Sequence, residues 1–550
     1  MAAIRPLAVA LLLVVYLLRR AQSDSSLEHI PILKFNRYLP DFVNRLIYYP
    51  KAASLIYRGY NQYKDCPFRM LTADGEVVVL PVKYTEELRK LPASIISSLD
   101  AQYEVKGLPS MNALGDFTNI LINSALPSAT VRKKLTPSIG ALHITIFNED
   151  IFTNWSGRIT PWVLDELRYA FDTVLPQCED DWVPIQAHEM FVQLIACATS
   201  RVVGGETLRR NEKWLDSASR YSVNVGITVF LLRPFPPWLR SLIAPFLPCV
   251  REMKEQLRFV KNDLFVPMIL ERRAAEQAND PAYVKPNDFL QWMMEMAEEE
   301  GDRDPDLLAH HLFILMSLAV VHTSSMAMCH ALYDLVLMPE YRAPLRDEIT
   351  RTLKDGWENA TLASFVAQRR MDSFLRESQR FNPPGELSFH RIVKEPLTLS
   401  DGLVLPRGTH ICFAAGPMSK DATYLSNPDI FDGLRWCQDP DDRYALMSDP
   451  SEKQLQVLNG FTSTGSSSAS ASFVTISPAS MHFGFGRQAC PGRFFAVNTI
   501  KAIMSRIISE YDFKFEDLQT GKRPPNILVG EHIIPNTSTN VLFRKRSIGL

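Results

Sequence analysis

A chain of 550 residues, 46% of them hydrophobic, is ample for a sizeable core. Its 59 basic and 61 acidic residues leave a formal charge of −2, and with no strongly basic face or tail nothing points to a nucleic-acid partner. The eight cysteines (Cys66, Cys178, Cys197, Cys249, Cys329, Cys412, Cys437 and Cys490) show no C-x-x-C spacing, which argues against a zinc site or a disulfide framework and fits a reducing compartment on the cytosolic side of a membrane.

Pro6 to Leu18 is an unbroken apolar run, and extending it back to Met1 adds one charge, Arg5. Eighteen helical residues span about 27 Å, close to the hydrocarbon thickness of the endoplasmic-reticulum bilayer. Arg19, Arg20, Lys34 and Arg37 follow, so more positive charge lies after the run than before it and the body should face the cytosol. Residues 1–20 read as a membrane anchor and 21–550 as the folded body; a cleaved signal peptide, with Ala21-x-Ser23 as its site, is the alternative. Glycosylation sequons at Asn154, Asn359 and Asn536 would be silent in that orientation.

Further along, Glu76 to Val82 is β-like, and Pro127 to Leu142 reads as a basic helix carrying Arg132, Lys133 and Lys134. Pro161 to Leu270 is helix-dominated and apolar, broken at Phe235-Pro236-Pro237-Trp238. Asp304 to Leu337 is the longest helical pattern, with Leu312, Met316, Ala319 and Thr323 recurring on one face. Glu377 and Arg380 are three apart, share a helix face and can pair before Asn382-Pro383-Pro384 ends their helix. Leu397 to Ile411, with turns at Asp401-Gly402 and Pro406-Arg407-Gly408, reads as a hairpin; residues 465–472 are a Ser-rich low-complexity stretch; and the tail from Pro524 to Lys545 alternates like strands.

The stretch that organises the chain is Phe483-Gly484-Phe485-Gly486-Arg487-Gln488-Ala489-Cys490-Pro491-Gly492-Arg493-Phe494-Phe495-Ala496. Its glycines permit a tight turn, and Pro491 suits the first position of a helix. Cys490 would then precede a helix N-terminus, where peptide N–H groups and the helix dipole favour the thiolate. Gly484-x-Gly486-x-x-Ala489 also fits a dinucleotide fingerprint, but that motif needs a preceding strand, and here a serine-rich segment with Pro478 precedes it.

With Phe483, Gly486, Cys490 and Gly492 on the pattern Phe-x-x-Gly-x-Arg-x-Cys-x-Gly, the stretch resembles the haem-binding loop of the cytochrome P-450 family, and fungal members most of all. The position two before the cysteine, basic in the family, is Gln488 here. The resemblance implies a mainly α cytochrome P-450 fold, a helical body with small β-sheets on a single N-terminal transmembrane helix, residues 21–550 being the catalytic domain. It implies haem b with Cys490 as axial ligand of the iron, cradled by Phe483, Gly486, Gln488 and Gly492. Arg132 and Arg391 are implied at the haem propionates, although Arg132 with Lys133 and Lys134 equally suits a solvated helix face. It implies Thr323 as a proton-relaying hydroxyl, with His322 where an acid often stands; an ordinary buried helix, its Thr bonded back one turn, is the plain alternative. Glu377, Arg380 and Arg435 are implied to form a buried support for the haem loop. The implied reaction is insertion of oxygen from dioxygen into a C–H bond, with NADPH electrons delivered by a separate reductase. The implied substrate is a membrane-partitioning apolar small molecule: a terpenoid, indole-diterpene or polyketide-like intermediate. A haem-thiolate isomerase or dehydratase, and a non-catalytic haem sensor, are the other readings.

Overall fold

The computed structural model describes residues 27–546 apart from 74, 106–123, 140–158, 176–177, 179–180, 233–234, 236, 298–299, 438–471 and 517–521. The N-terminal apolar run, the Asn154 sequon and nearly all of the Ser-rich stretch lie outside the described residues.

Helices make up most of the body, and the longest of them, Pro305–Leu337, runs through its centre. Asp304 caps it by accepting from the Asp306 amide, and Pro305 takes the first-turn position where its missing N–H costs nothing. Leu308, Leu312, Phe313, Val321, Met328 and Leu332 along it are fully buried in one cluster with residues of the helices Ile159–Val174, Ala187–Leu208 and Arg493–Glu510. The helix is long and apolar enough to cross a membrane by composition, but its burial marks it as the core helix of the body.

This helix is not uniform. Leu315–Val321 widens into a π segment between α-helical Pro305–Ile314 and His322–Leu337. Hydroxyls bond back to carbonyls one turn earlier on both sides: Ser317 to Phe313 at 2.8 Å, Thr323 to Ala319 at 2.6 Å and Ser325 to Val321 at 2.7 Å. Such bonds compete with the backbone ladder and bend helices. The widening corrects the sequence expectation of one shared face. Leu312 (0% exposed) and Met316 (4%) are packed into the core, whereas Ala319 and Thr323 are exposed.

The β structure lies in small sheets. A six-stranded sheet has the order β1-β2-β3-β9-β6-β4, with β1 Ile32–Leu33, β2 Phe68–Leu71, β3 Glu76–Val79, β4 Ile96–Ser97, β6 Ser388–Val393 and β9 His410–Phe413. Pairing is parallel at β1–β2 and β3–β9 and antiparallel elsewhere. The helix Asp41–Gln62 covers one face through Tyr48, Ala52, Leu55 and Ile56. β7 (Leu397–Thr398) and β8 (Val404–Leu405) form a hairpin shorter than the expected Leu397 to Ile411, because Ile411 lies on β9 and pairs with β3 and β6 instead. The tail supplies β11 (Ile527–Val529) paired with β12 (His532–Ile534), and β13 (Asn540–Lys545) between β10 (Tyr511–Phe515) and β5 (Val183–Gln186). The fold is thus mainly helical with small sheets, as the sequence implies.

Candidate active site

The cysteine loop is built by backbone geometry. The Cys490 amide donates to the Phe483 carbonyl at 2.8 Å, and the Gly484 amide to Met481 at 2.8 Å, folding 481–490 back on itself. Gly484 (φ +74°) and Gly486 (φ +75°) hold the left-handed conformations that reversal needs. Gly486 is also forced by contact, because a Cβ there would lie 2.5 Å from the Arg89 carbonyl oxygen. Cys490 emerges exposed, and the helix after it, Arg493–Glu510, starts two residues later than expected: Pro491 and Gly492 form a turn and Gly492, not Cys490, is the residue that caps it. Arg493, in the first turn of that helix, donates to the Cys490 carbonyl at 2.8 Å. The sequence reading had missed this tie, for which a guanidinium three residues after the cysteine is the only linear signal.

Gln488 faces a different neighbour from the one its family position suggests. Its Oε1 accepts from the Ser98 amide at 2.9 Å, and its Nε2 donates to the Ile96 carbonyl at 2.8 Å. Both ends of the amide stitch the loop to the backbone of β4 and its following residue, so Gln488 holds the loop in place rather than presenting a charge. Phe483 is partly buried and packs edge-on against Phe473, with ring centroids 5.5 Å apart.

The two cations that the resemblance implies at the propionates lie on segments that meet this loop. The segment bearing Arg132 touches it directly: Thr136 Oγ1 lies 3.1 Å from the Pro491 carbonyl, and a Cβ on Gly492 would sit 4.0 Å from Val131. Arg132 itself is exposed, within the π segment Val131–Leu135. Arg391, on β6, is only 4% exposed. It donates to the His390 carbonyl at 2.8 Å and reaches the Phe485 carbonyl at 3.4 Å, its guanidinium stacks over Phe389, and its Nε has no partner. Burial pushes it down to about 9, and no carboxylate offsets that among the described residues. A buried guanidinium without an anion is costly, and an anionic group seated against the loop would relieve it.

Glu377 and Arg380, three apart on one helix, pair, and Arg435 joins them from a distant segment. Arg380 binds Glu377 through two bonds, Nε to Oε2 at 2.9 Å and Nη2 to Oε1 at 2.7 Å, and Arg435 Nε adds a third at 3.1 Å. The remaining guanidinium protons are donated to the carbonyls of Ser419, Ser426, Asn427, Pro428 and Ile430. Glu377 is wholly buried, and its Oε1 also accepts from the Asp432 amide at 3.0 Å. This forked, fully bonded arrangement is one in which buried charges are tolerated.

Thr323 and His322 part company. Thr323 is exposed beside Ala319, its hydroxyl donated to the Ala319 carbonyl. His322 is buried, its Nε2 2.8 Å from the Ser219 carbonyl and its ring 5.9 Å from that of His188. Burial lowers its affinity for a proton. The structure therefore joins His322 to neighbouring helices and leaves Thr323 alone on the open face. Leu315, Leu318 and Val320 beside it pack on the same cluster as Phe483, Phe494 and Phe495, which brings the central helix and the cysteine loop onto one core.

The described residues thus put an exposed thiol ahead of a helix, a buried guanidinium with no carboxylate partner among them, and an exposed Ala319–Thr323 face on a core helix. The comparisons agree: the chain belongs to the cytochrome P450 family, whose model matches residues 226–540. It is similar to the cytochrome P450 monooxygenases penP of Penicillium crustosum (43% identity over 98% of this chain and 94% of the relative), AtmP of Aspergillus flavus (44% over 93% and 89%) and paxP of Penicillium paxilli (41% over 98% and 95%). The protein is a monooxygenase of fungal secondary metabolism, and its family carries haem with a thiolate ligand.

Proposed function

We propose that this monooxygenase hydroxylates, or further oxidises, an apolar terpenoid, indole-diterpene or polyketide-like intermediate, using NADPH electrons passed on by a separate membrane-bound reductase. The observation that carries the site assignment is Arg391, a buried cation that has no carboxylate partner among the described residues and is held against the cysteine loop. When bound, the haem supplies dioxygen activation. Cys490 would hold its iron as thiolate, while Arg391 and Arg132 would take its carboxylates. Glu377, Arg380 and Arg435 hold the polypeptide behind the loop. Thr323 keeps its proton on Oγ1 in the bond to Ala319, leaving lone pairs to accept from a water and so to order proton delivery. Leu315, Leu318 and Val320, on the helix just before Thr323, are apolar, which suits an apolar substrate.

The body should lie on the cytosolic face of the endoplasmic reticulum, held by residues 1–20. Exposed apolar side chains support this: Phe230, Trp238, Leu242 and Phe246 are 62%, 64%, 61% and 81% exposed within one short stretch. Exposed Lys133 and Arg487 near the loop suit an acidic partner surface, as electron delivery from a reductase requires.

The deciding experiment incubates the haem-loaded protein with a reductase, NADPH, isotopically heavy dioxygen and a panel of such metabolites. A product heavier by one labelled oxygen is expected. Turnover that needs neither NADPH nor dioxygen would overturn the reading.

A further inference from the structure

We infer that Phe389 is a positioning residue: its strained backbone and its ring aim the Arg391 guanidinium at a haem carboxylate. The inference rests on the proposed reading of the site and adds a residue that sets its geometry. Phe389 has φ +57°, in the left-handed region. An aromatic L-residue is disfavoured there, and such a conformation persists only where its surroundings over-determine it. The cause lies in the pairing of β6 with β9. Ser388 faces Phe413 and Arg391 faces Ile411, so three steps on β6 match two on β9. β6 therefore carries one extra residue, a bulge, and glycine is the usual occupant of a left-handed position in a bulge.

The ring accounts for a phenylalanine at that place. Phe389 is 3% exposed, and its ring centroid lies 4.0 Å from the Arg391 guanidinium carbon and 5.2 Å from that of Phe413. Glycine would accept the backbone angle and forfeit both contacts. Arg391 also donates to the carbonyl of His390, the next residue of the bulge, at 2.8 Å. Two of its holds thus come from the bulge itself, and the third, the Phe485 carbonyl at 3.4 Å, is long. The bulge is pinned on both sides. Ser388 Oγ donates to the Met481 carbonyl at 2.8 Å, and the His390 ring lies 3.0 Å from Glu531 and 3.0 Å from His410.

A ring face attracts a cation without neutralising it. A carboxylate of the chain placed there would pair with Arg391 and compete with the haem for it. The ring instead fixes the plane of the guanidinium and leaves its charge and its N–H groups to an incoming anion. Phe389 acts through Arg391 and not on the reacting atoms.

The test is a double-mutant cycle on haem-loaded protein: wild type, Phe389→Leu, Arg391→Leu and the double variant. For each, the rate of haem transfer to excess apomyoglobin is measured, with the ferric–ferrous midpoint potential. Phe389→Leu keeps the place apolar and removes the ring face, so haem loss should quicken about three- to tenfold. The potential should fall in Phe389→Leu as in Arg391→Leu, because a cation near the haem favours the reduced state. In the Arg391→Leu background the change at Phe389 should add less than about twofold, since no guanidinium remains to be aimed. Phe389→Tyr, which keeps the ring, should stay within about twofold of wild type. A side chain that merely fills the core would speed haem loss equally in both backgrounds and leave the potential alone. Either result overturns the inference, as does an unchanged rate in Phe389→Leu. If Phe389→Leu does not accumulate, Phe389→Met carries the same comparison. Arg391→Leu alone separates the two levels. Unchanged haem loss in that variant condemns the haem reading of Arg391, whereas faster loss with an additive Phe389 effect condemns Phe389 only.

Discussion

At the scale of single residues, the candidate site rests on a cysteine presented by its loop and on a buried cation beside that loop. Cys490 is held by its backbone, through Phe483 and Arg493, and its sulfur emerges exposed. Cys490→Ala should abolish the red-shifted Soret band of the ferrous carbon monoxide complex; a normal spectrum in that variant would refute the ligand. Arg391 is the counterpart in charge. Arg391→Leu removes a cation that no carboxylate among the described residues neutralises, so the apoprotein should lose little stability while the haem-to-protein ratio falls several-fold on gel filtration. Thr323→Ala should leave the carbon monoxide spectrum intact and divert NADPH to peroxide, because proton delivery loses its ordered hydroxyl. Unchanged product per NADPH would move the relay elsewhere, and the burial of His322 against Ser219 makes that residue a poor substitute.

At the scale of elements, two buried ionic groups pin the parts that flank the site. Arg380 and Arg435 clamp Glu377 to the segment 426–435, and Arg380→Ala would leave a wholly buried carboxylate short of a partner, at a cost of about 3–5 kcal/mol. Little haem-loaded protein should accumulate, and a wild-type melting temperature would show the pair to be dispensable. The second group holds the β11–β12 hairpin. Glu531, at its turn, lies 3.0 Å from His390 Nε2 and accepts from the Tyr48 hydroxyl at 3.2 Å; His390 Nδ1 is in turn 3.0 Å from His410 Nε2. Burial raises the Glu531 carboxyl, but His390 and then His532 and His410 outweigh it and bring the value down to about 2. A carboxyl depressed on folding stabilises the native state above its unfolded value, near 4.3, and that contribution disappears as pH falls towards 2. The window follows from the two values, and the shift is worth at most about 3 kcal/mol. Urea midpoints measured from pH 5 to pH 3 should therefore fall more steeply for the wild type than for Glu531→Gln; parallel curves would contradict this.

At the scale of the whole molecule, the long apolar helix Pro305–Leu337 serves as the core, and the exposed apolar residues gather elsewhere. Removing residues 1–20 should leave the body partly bound to microsomes through the stretch around Trp238, Leu242 and Phe246. Changing Trp238 and Phe246 to Ser in the truncated protein should release it, with the carbon monoxide spectrum unchanged. Full release by truncation alone would show that this face does not meet the membrane.

The sequence by itself determined what local chemistry can encode. The Gly-x-Gly turn before Cys490, the three-residue spacing of Glu377 and Arg380 and the hairpin turn at Asp401-Gly402 act within a few residues, so their outcome can be read from the order of the chain. Only the tertiary structure decided the rest, because the partners come from far away or from a change of helical register. Gln488 is claimed by β4, some 390 residues earlier, and Glu531 by a strand histidine and a tyrosine of the helix Asp41–Gln62. The π segment of the central helix shifts the stripe that periodicity alone placed at Leu312 and Met316. A 3.6-residue rule assumes an unbroken ladder, and a face computed with it fails where that ladder widens.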